Sequence, residues 1–394
     1  MGDIAAATRL DGGFVDGLMA VDAPIGRARG LPNAAYTDPD FTAFERRRLW
    51  RRGWVCAGFA SELPAPGDAR PVEVAGAPLL LLRAKDGALR VFHNVCRHRG
   101  MTLADRPTRF ANVIRCPYHS WCYDHGGRLM IAPHVGGPGC NVHPDIDRAE
   151  LGLVPVRSAV WWDFVFVDLD GDAPAFEDWI APLARRWDGF ELARFEAPVP
   201  AEGAFALEIA ANWKLAVENY VEAYHLPWVH PGLNSYSRLE DHDNIVEDGA
   251  CSGQLTRAYQ PALDEEGRRF PAFDGLAPFW ASGAEYVALY PNLLLGLHRD
   301  HGFAILLEPK GVARTAEHVR LYYVDTAATD PALGDLRRRS LALWREVFAE
   351  DVAVVEGMQA GRASPAFDGG RFSPAMDPPT HAFHRWVAGR LLAP

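Results

Sequence analysis

Two short stretches, Val95-Cys-Arg-His-Arg-Gly100 and Cys116-Pro-Tyr-His-Ser-Trp121, decide the reading of this chain. They supply two Cys–His pairs, Cys96-x-His98 and Cys116-x-x-His119, with seventeen residues between His98 and Cys116. Each pair is short enough to sit on one tight loop. Two loops that each offer one thiolate and one imidazole suit a [2Fe–2S] cluster in which cysteines hold one iron and histidines the other. The competing reading is a structural zinc ion, which also accepts two Cys and two His. Zinc-finger spacing, however, usually keeps the two Cys together and the two His together. Arg97, Arg99, Gly100, Pro117, Tyr118 and Trp121 make these loops rigid and polar. The cluster is the preferred reading.

Outward from these loops the signals are β. Val72 and Val74 alternate, Leu79–Leu82 is a buried run, and Lys85-Asp86-Gly87 is a turn before Leu89–Phe92. His125-Gly126-Gly127 makes a further hairpin tip. Upstream, residues 1–36 lack a clear period and suggest an extended arm. A helix follows near Phe41–Trp50, with Thr37 or Asp38 as cap and Pro39 in its first turn. Past Val167 the texture changes. Phe176–Phe190 and Asn212–Tyr224 read as helices, Phe205–Ile209 as a strand, and residues 233–275 as a polar, mobile loop. Strands return at Tyr286–His298, Phe303–Glu308 and His318–Val324, and a long helix over Pro331–Ala360 closes the domain. The fold class is α+β: an N-terminal arm and helix over 1–50, a small all-β domain over 51–167, and a larger domain over 168–394 with antiparallel sheet and flanking helices.

Composition narrows the class. The chain has 394 residues, 48% hydrophobic and 23% charged, enough for a full core. A net charge of −11 argues against binding nucleic acid or an anionic membrane through a general basic field. No apolar run reaches membrane-spanning length, and the first residues lack the pattern of a secretory signal. Cys56, Cys122, Cys140 and Cys251 read as reduced residues of a cytoplasmic protein.

A second ligand set lies in the larger domain. Glu218-Asn-Tyr-Val-Glu-Ala-Tyr-His-Leu-Pro-Trp-Val-His230 puts His225 and His230 five residues apart across a proline turn, with Glu218, Glu222 and His225 at i, i+4 and i+7 of the expected helix. The last helix carries an apolar stripe, Leu343, Val347, Asp351, Val354, Val355 and Met358, in which a carboxylate replaces an aliphatic residue. A buried carboxylate needs a cation or donor close by. Two His and one carboxylate form the facial triad that leaves open positions on Fe(II). The bland alternative pairs Asp351 with Arg345 or Arg338, while Glu350 reads as solvated.

Taken together, the Cys-x-His-Arg-Gly and Cys-Pro-x-His-x-Trp loops and the later acid-x₂-His-x₄-His motif resemble the large (α) subunit of the Rieske non-haem iron oxygenases over roughly residues 40–360. Ser120 stands where that family usually has Gly. The resemblance implies a helix-grip-type catalytic domain, a [2Fe–2S] cluster on Cys96, His98, Cys116 and His119, and Fe(2+) on His225, His230 and Asp351. It also implies a homotrimer in which an acidic residue, here Glu222 rather than Asp, bridges the cluster of one subunit to the iron of the next through His119 and His225. Electrons would come from a separate NAD(P)H reductase, since the chain has no Gly-rich dinucleotide fingerprint.

Glu222 and the pattern around Asp351 look more like the branch acting on choline, glycine betaine and carnitine than the ring-hydroxylating branch. A quaternary nitrogen is attracted to aromatic faces. Trp228, Tyr290 and Phe303 are the chosen substrate-binding candidates, with Phe279, Trp280 and Tyr286 behind them. The expected reaction is monooxygenation or N-demethylation of a betaine-like compound; aromatic-ring hydroxylation is the alternative. A Rieske electron carrier without catalysis is the non-enzyme reading, opposed by the second ligand set.

Overall fold

The computed structural model describes residues 12–247, 249–367 and 369–393. The chain forms two compact units. One is Trp50–Phe176; the other combines the residues up to Leu49 with those from Glu177 onward.

The smaller unit is built of β1 (Val55–Phe59), β2 (Asp68–Val74), β3 (Ala77–Arg83), β4 (Leu89–His93), β5 (Thr108–Arg109), β6 (Ile114–Arg115), β7 (Cys122–Tyr123), β8 (Leu129–Ile131), β9 (Arg157–Trp161) and β10 (Phe164–Asp168). They form three antiparallel sheets, ordered β1-β10-β9, β4-β3-β2-β5 and β6-β7-β8. Leu79 to Leu82 on β3 are all fully buried, each stabilising the unit by about 1.5–3 kcal/mol. By alternation Leu80 and Leu82 reach the core that also holds Cys96, Cys116, Trp121 and Tyr123. In the turn after β3 the Asp86 carboxylate accepts the Ala88 N–H at 3.1 Å. At the tip before β8, Gly127 has φ +86°, and an added Cβ would come within 2.7 Å of the Phe92 ring. Only glycine fits there.

The larger unit opens with helix α1 (Gly12–Ala20), so the expected extended arm is partly helical; residues 1–11 of it lie outside the described residues. Helix α2 (Pro39–Glu45) starts with Pro39 in its first turn, and Asp38 accepts the Asp40 N–H at 2.7 Å. After α3 (Phe176–Arg186) come β11 (Phe195–Glu196) and β12 (Ala204–Ile209), then α4 (Trp213–Tyr220). The sheet continues with β13 (His242–Val246), β14 (Cys251–Thr256), β15 (Ala284–Leu289), β16 (Leu293–Leu297), β17 (His301–Gly311) and β18 (Arg314–Val324). These strands form one eight-stranded antiparallel sheet, ordered β11-β18-β17-β16-β15-β14-β13, with β12 also paired to β18. Helix α5 (Gly334–Gly361) packs on α4 and β12, and α6 (Pro378–Leu392) on β13 and β14.

Three expectations change. Residues 242–256 are a strand pair rather than part of a loop; β13 is an edge strand, so its polar side chains stay wet while Ile245 is buried. The helix begun at Asn212, whose side chain accepts the Lys214 N–H at 3.2 Å, stops at Tyr220 instead of Tyr224. And α5 does not close the unit, since α6 follows it.

Candidate functional site

In the smaller unit the two loops present their four side chains as the sequence pattern requires. Cys96 and Cys116 are buried, and their sulfurs lie within hydrogen-bonding reach of each other. Backbone amides of Tyr118 and His119 donate to the Cys116 sulfur. The Tyr123 hydroxyl lies 3.2 Å from the Cys96 sulfur and accepts the Arg97 N–H at 3.0 Å. The His98 and His119 rings sit 4.6 Å apart, with His98 stacked on Trp121 at 4.7 Å. Positive φ at Gly100 (+74°) and Ser120 (+58°) closes the two turns. His119 Nδ1 is buried with no hydrogen-bond partner among the described residues, as a metal-ligating nitrogen would be. The donors pair as Cys with Cys and His with His, which suits two irons held pairwise better than one tetrahedral zinc.

In the larger unit the site grows from α4. Past Tyr220 the chain turns, and the Glu222 carboxylate accepts the Tyr224 and His225 N–H groups. The same carboxylate accepts the His225 Nδ1–H at 2.6 Å. Gln254 on β14 steadies this turn by donating to the Glu222 carbonyl at 2.9 Å. Pro227 lies in a short helical turn, Leu226–Val229, that brings His230 back to the first imidazole, with ring centroids 5.1 Å apart. Asp351 projects from α5 between them: its Oδ1 lies 3.0 Å from His230 Nε2 and 3.6 Å from His225 Nε2. Asn219 on α4 donates to the same oxygen at 3.1 Å. Ligand atoms of His225, His230 and Asp351 all fall within 4.8 Å of one another, a spacing that could hold one metal ion.

Both imidazoles are held through Nδ1. Glu222 takes that proton on His225, and Glu350 takes it on His230 at 2.7 Å. Each Nε2 thereby points toward Asp351, the arrangement in which carboxylates orient metal-bound histidines. Glu350 is therefore not the solvated residue the sequence suggests. Its neighbour Asp351 faces inward, and one step of about 100° around a helix brings Glu350 to His230. Burial pulls His230 down, but hydrogen bonds to Asp351 and Glu350 outweigh it and hold the imidazole above its ordinary value.

A pocket adjoins this set, lined by Ala216, Asn219 and Tyr220 from α4, Phe348, Asp351, Val352 and Val355 from α5, and Ile209, Leu294, Ile305 and Glu317 from the sheet. Beside it lies a box of rings. Phe303 packs against Trp344 (4.4 Å), Phe348 (5.1 Å), Tyr286 (6.2 Å), His298 (6.3 Å) and Tyr220 (6.5 Å). Opposite Phe303 on β16 stands Gly296, where an added Cβ would meet that ring at 2.2 Å. Burial drives His298 well below its ordinary value, with His301 beside it adding to the effect. Burial, and then the Asp351 carboxylate, pushes Glu317 up to about 8.

Of the three substrate-binding candidates, Phe303 lies in the ring box beside the pocket, and Trp228 and Tyr290 lie apart from its lining. Trp228 is 71% exposed, because the proline turn that returns His230 sends the intervening side chain outward against Tyr224. Tyr290 is buried away from the pocket, bonded to the Ser252 hydroxyl and packed on Phe383 and Trp386 of α6. Phe279 and Trp280 pack on each other, Trp280 also on Phe190, outside the pocket lining. Phe303 and Tyr286 do belong to the ring box. Trp344, Tyr220 and Glu317 went unnoticed as site residues.

Comparison with known proteins agrees with both halves. Residues 53–144 match the Rieske [2Fe-2S] domain family, and residues 199–393 match the ring hydroxylating alpha subunit catalytic domain family. The carnitine monooxygenase oxygenase subunit of Escherichia coli (strain K12) is 29% identical over 349 residues, covering 86% of each chain. The chloroplastic choline monooxygenase of Arabidopsis thaliana is 29% identical over 373 residues, covering 92% of this chain and 82% of that protein. The glycine betaine monooxygenase oxygenase subunit of Chromohalobacter salexigens is 35% identical over 215 residues, 54% of this chain and 46% of that protein. In fold, the chain matches the solved quaternary ammonium Rieske monooxygenase CntA at a TM-score of 0.77 and 24% identity, covering 95% of this chain and 98% of that one. It also matches the naphthalene 1,2-dioxygenase of Rhodococcus sp. at 0.74 and 20%, covering 97% and 98%. With a cluster domain followed by a mononuclear iron domain, the chain belongs to the Rieske non-haem iron oxygenases, as an oxygenase α subunit.

Proposed function

We propose that this oxygenase hydroxylates a small quaternary ammonium or betaine-like compound, by monooxygenation or N-demethylation, using electrons from a separate NAD(P)H reductase. The observation that carries the reading is a triad-and-pocket site bordered by aromatic faces, in a chain whose relatives act on carnitine, choline and glycine betaine.

Cys96, His98, Cys116 and His119 hold the cluster, and His225, His230 and Asp351 hold the iron. When bound, the cluster supplies one-electron storage and the iron supplies dioxygen activation. The protein does the rest. Glu222 and Glu350 fix the imidazole tautomers. Leu294, Ile305, Val352 and Val355 keep the pocket dry. Tyr220 and Phe348 bring aromatic rings to the pocket lining, and ring faces attract an onium group without asking it for a hydrogen bond. Glu222 has the further role of linking the iron site to the cluster of a neighbouring subunit in a homotrimer; inter-subunit electron transfer is described for a solved quaternary ammonium Rieske monooxygenase. Among the described residues no helix is long and apolar enough to cross a membrane.

The test is oxygen uptake coupled to NADH oxidation with a reductase present, screened over glycine betaine, choline, carnitine and aromatic acids. Uptake with the quaternary compounds, with formaldehyde wherever an N-methyl is lost, is the expected result. Uptake with aromatic acids alone would transfer the site to ring hydroxylation.

A further inference from the structure

Glu317 is the unexplained group in the pocket. On β18 it lies on the face shared with Thr315, Val319 and Leu321, opposite Leu307 of β17 and Leu207 of β12. Its neighbours across the pocket are Ile209, Ile305, Val352 and Val355, all aliphatic. The residue is 9% exposed, and its carboxyl has no hydrogen-bond or ion-pair partner among the described residues. Every other strongly buried acid of this unit, among the described residues, is engaged: Glu45 by Lys214, Glu218 by Arg362, Asp264 by Arg268, Glu285 by Arg186. A second polar group in the same pocket is also unmet, since the buried hydroxyl of Tyr220 has no partner. A buried acid among aliphatic walls costs several kcal/mol unless something positive or protic meets it. No basic side chain lines this pocket. The pocket thus leaves room for a partner brought in by a ligand.

We propose that Glu317 is the counter-ion for the quaternary nitrogen of the substrate. Asp351 and Asn219 line the same pocket, so a cation held against Glu317 lies in the compartment that the metal set borders. An onium group makes no hydrogen bonds, so it needs a charge and apolar walls; the pocket offers the walls, and a cation beside Glu317 favours the carboxylate over the neutral form that burial favours without it. Tyr220 gives a phenol for whatever polar atom the substrate carries next to that nitrogen. A neutral aromatic substrate would leave Glu317 unpaired, so the residue also selects against such compounds. This inference rests on the quaternary ammonium reading above and makes it specific to one side chain.

The test is direct binding by calorimetry to the full iron-loaded protein, without turnover, using choline, tetramethylammonium and 3,3-dimethylbutan-1-ol, the neutral isostere of choline. Glu317→Gln keeps the shape and removes the charge. The expected result is a loss of about tenfold or more, or ~1.4 kcal/mol, for the two cations and little change for the isostere, with iron content and circular dichroism unaltered. Glu317→Asp should recover part of the preference. Equal weakening of all three probes, or unchanged binding of the cations, overturns the counter-ion role while leaving the quaternary ammonium reading standing. Loss of iron in Glu317→Gln with cation binding intact assigns the residue to the metal site and overturns the proposal. Failure of the wild-type protein to bind either cation removes both readings together.

Discussion

Glu222 and Glu350 do the same work on two imidazoles that reach Asp351 from opposite ends of one turn. Removing either carboxylate frees an Nδ1–H and lets the ring rotate away from its lone-pair direction. Glu350→Ala should therefore weaken iron binding by about 10- to 100-fold, read as iron retained after dialysis against a graded chelator. Retention equal to wild type would mean that packing alone orients His230. Asp351→Ala and His225→Ala go further: the mononuclear iron should be lost while the visible absorption of the cluster persists. Disappearance of that absorption would show that the two ligand sets are not independent. Glu350 also shows where one-dimensional reading stops. The aliphatic stripe of α5 marks Asp351 as inward, but a residue beside the stripe can face solvent or a neighbouring loop, and only the return of the chain after Pro227 decides which. Glu317 was open to the same logic as Asp351, an acid at an inward position of an alternating strand, and that signal was present in Thr315-Ala-Glu-His-Val-Arg-Leu.

At the level of elements, α4 is held by charge as much as by apolar contact. Lys214 is fully buried and bonded to Glu45 at 2.7 Å, and Trp213 donates to the same carboxylate at 3.0 Å. Glu218, one turn on, is met by Tyr36, by Arg362 at 3.2 Å and by His384 at 3.1 Å. Burial alone would raise Glu218; the nearby charges of His384 and Arg362, with the hydrogen bond from Tyr36, outweigh it and hold the carboxyl at about 2. The unfolded chain would titrate the same group near ~4.3, so it binds the extra proton in between. Stability from this group is complete above the higher value and fades as pH falls toward the lower one. Unfolding free energy should thus climb with pH through this window, and Glu218→Gln should flatten the climb. A slope unchanged in that variant would assign it to other carboxylates. Glu218→Ala should cost about 3–5 kcal/mol by leaving Arg362 without its partner, measured by denaturant titration. The existence of these elements was legible. The helix cap at Asp38, the Leu79–Leu82 strand and the long α5 all follow from local chemistry. The early end of α4 was not, because the Glu222 turn competes with helix continuation only once His225 is in place.

For the molecule as a whole, the two Cys–His loops and the acid-His-His segment carried the family, and the matches over 53–144 and 199–393 fall on those two regions. Elemental analysis of anaerobically purified protein should return about three irons per chain and negligible zinc. Light scattering should give three times the 43.4 kDa of one chain; a monomer would remove the proposed role of Glu222 between subunits. What the sequence could not show was the pocket wall, because Tyr220, Phe348, Glu317 and Ile305 come from a helix, another helix, a strand and a further strand, and no local pattern links them. The network on α4 bears on how such a protein tolerates being shortened. Tyr36 arrives from near the start of the chain, His384 from near its finish, and they meet seven residues before the first iron-binding histidine. Trimming either extremity, though far from the chemistry in sequence, would unclamp the helix that launches His225, and the damage would register first as metal that no longer stays put.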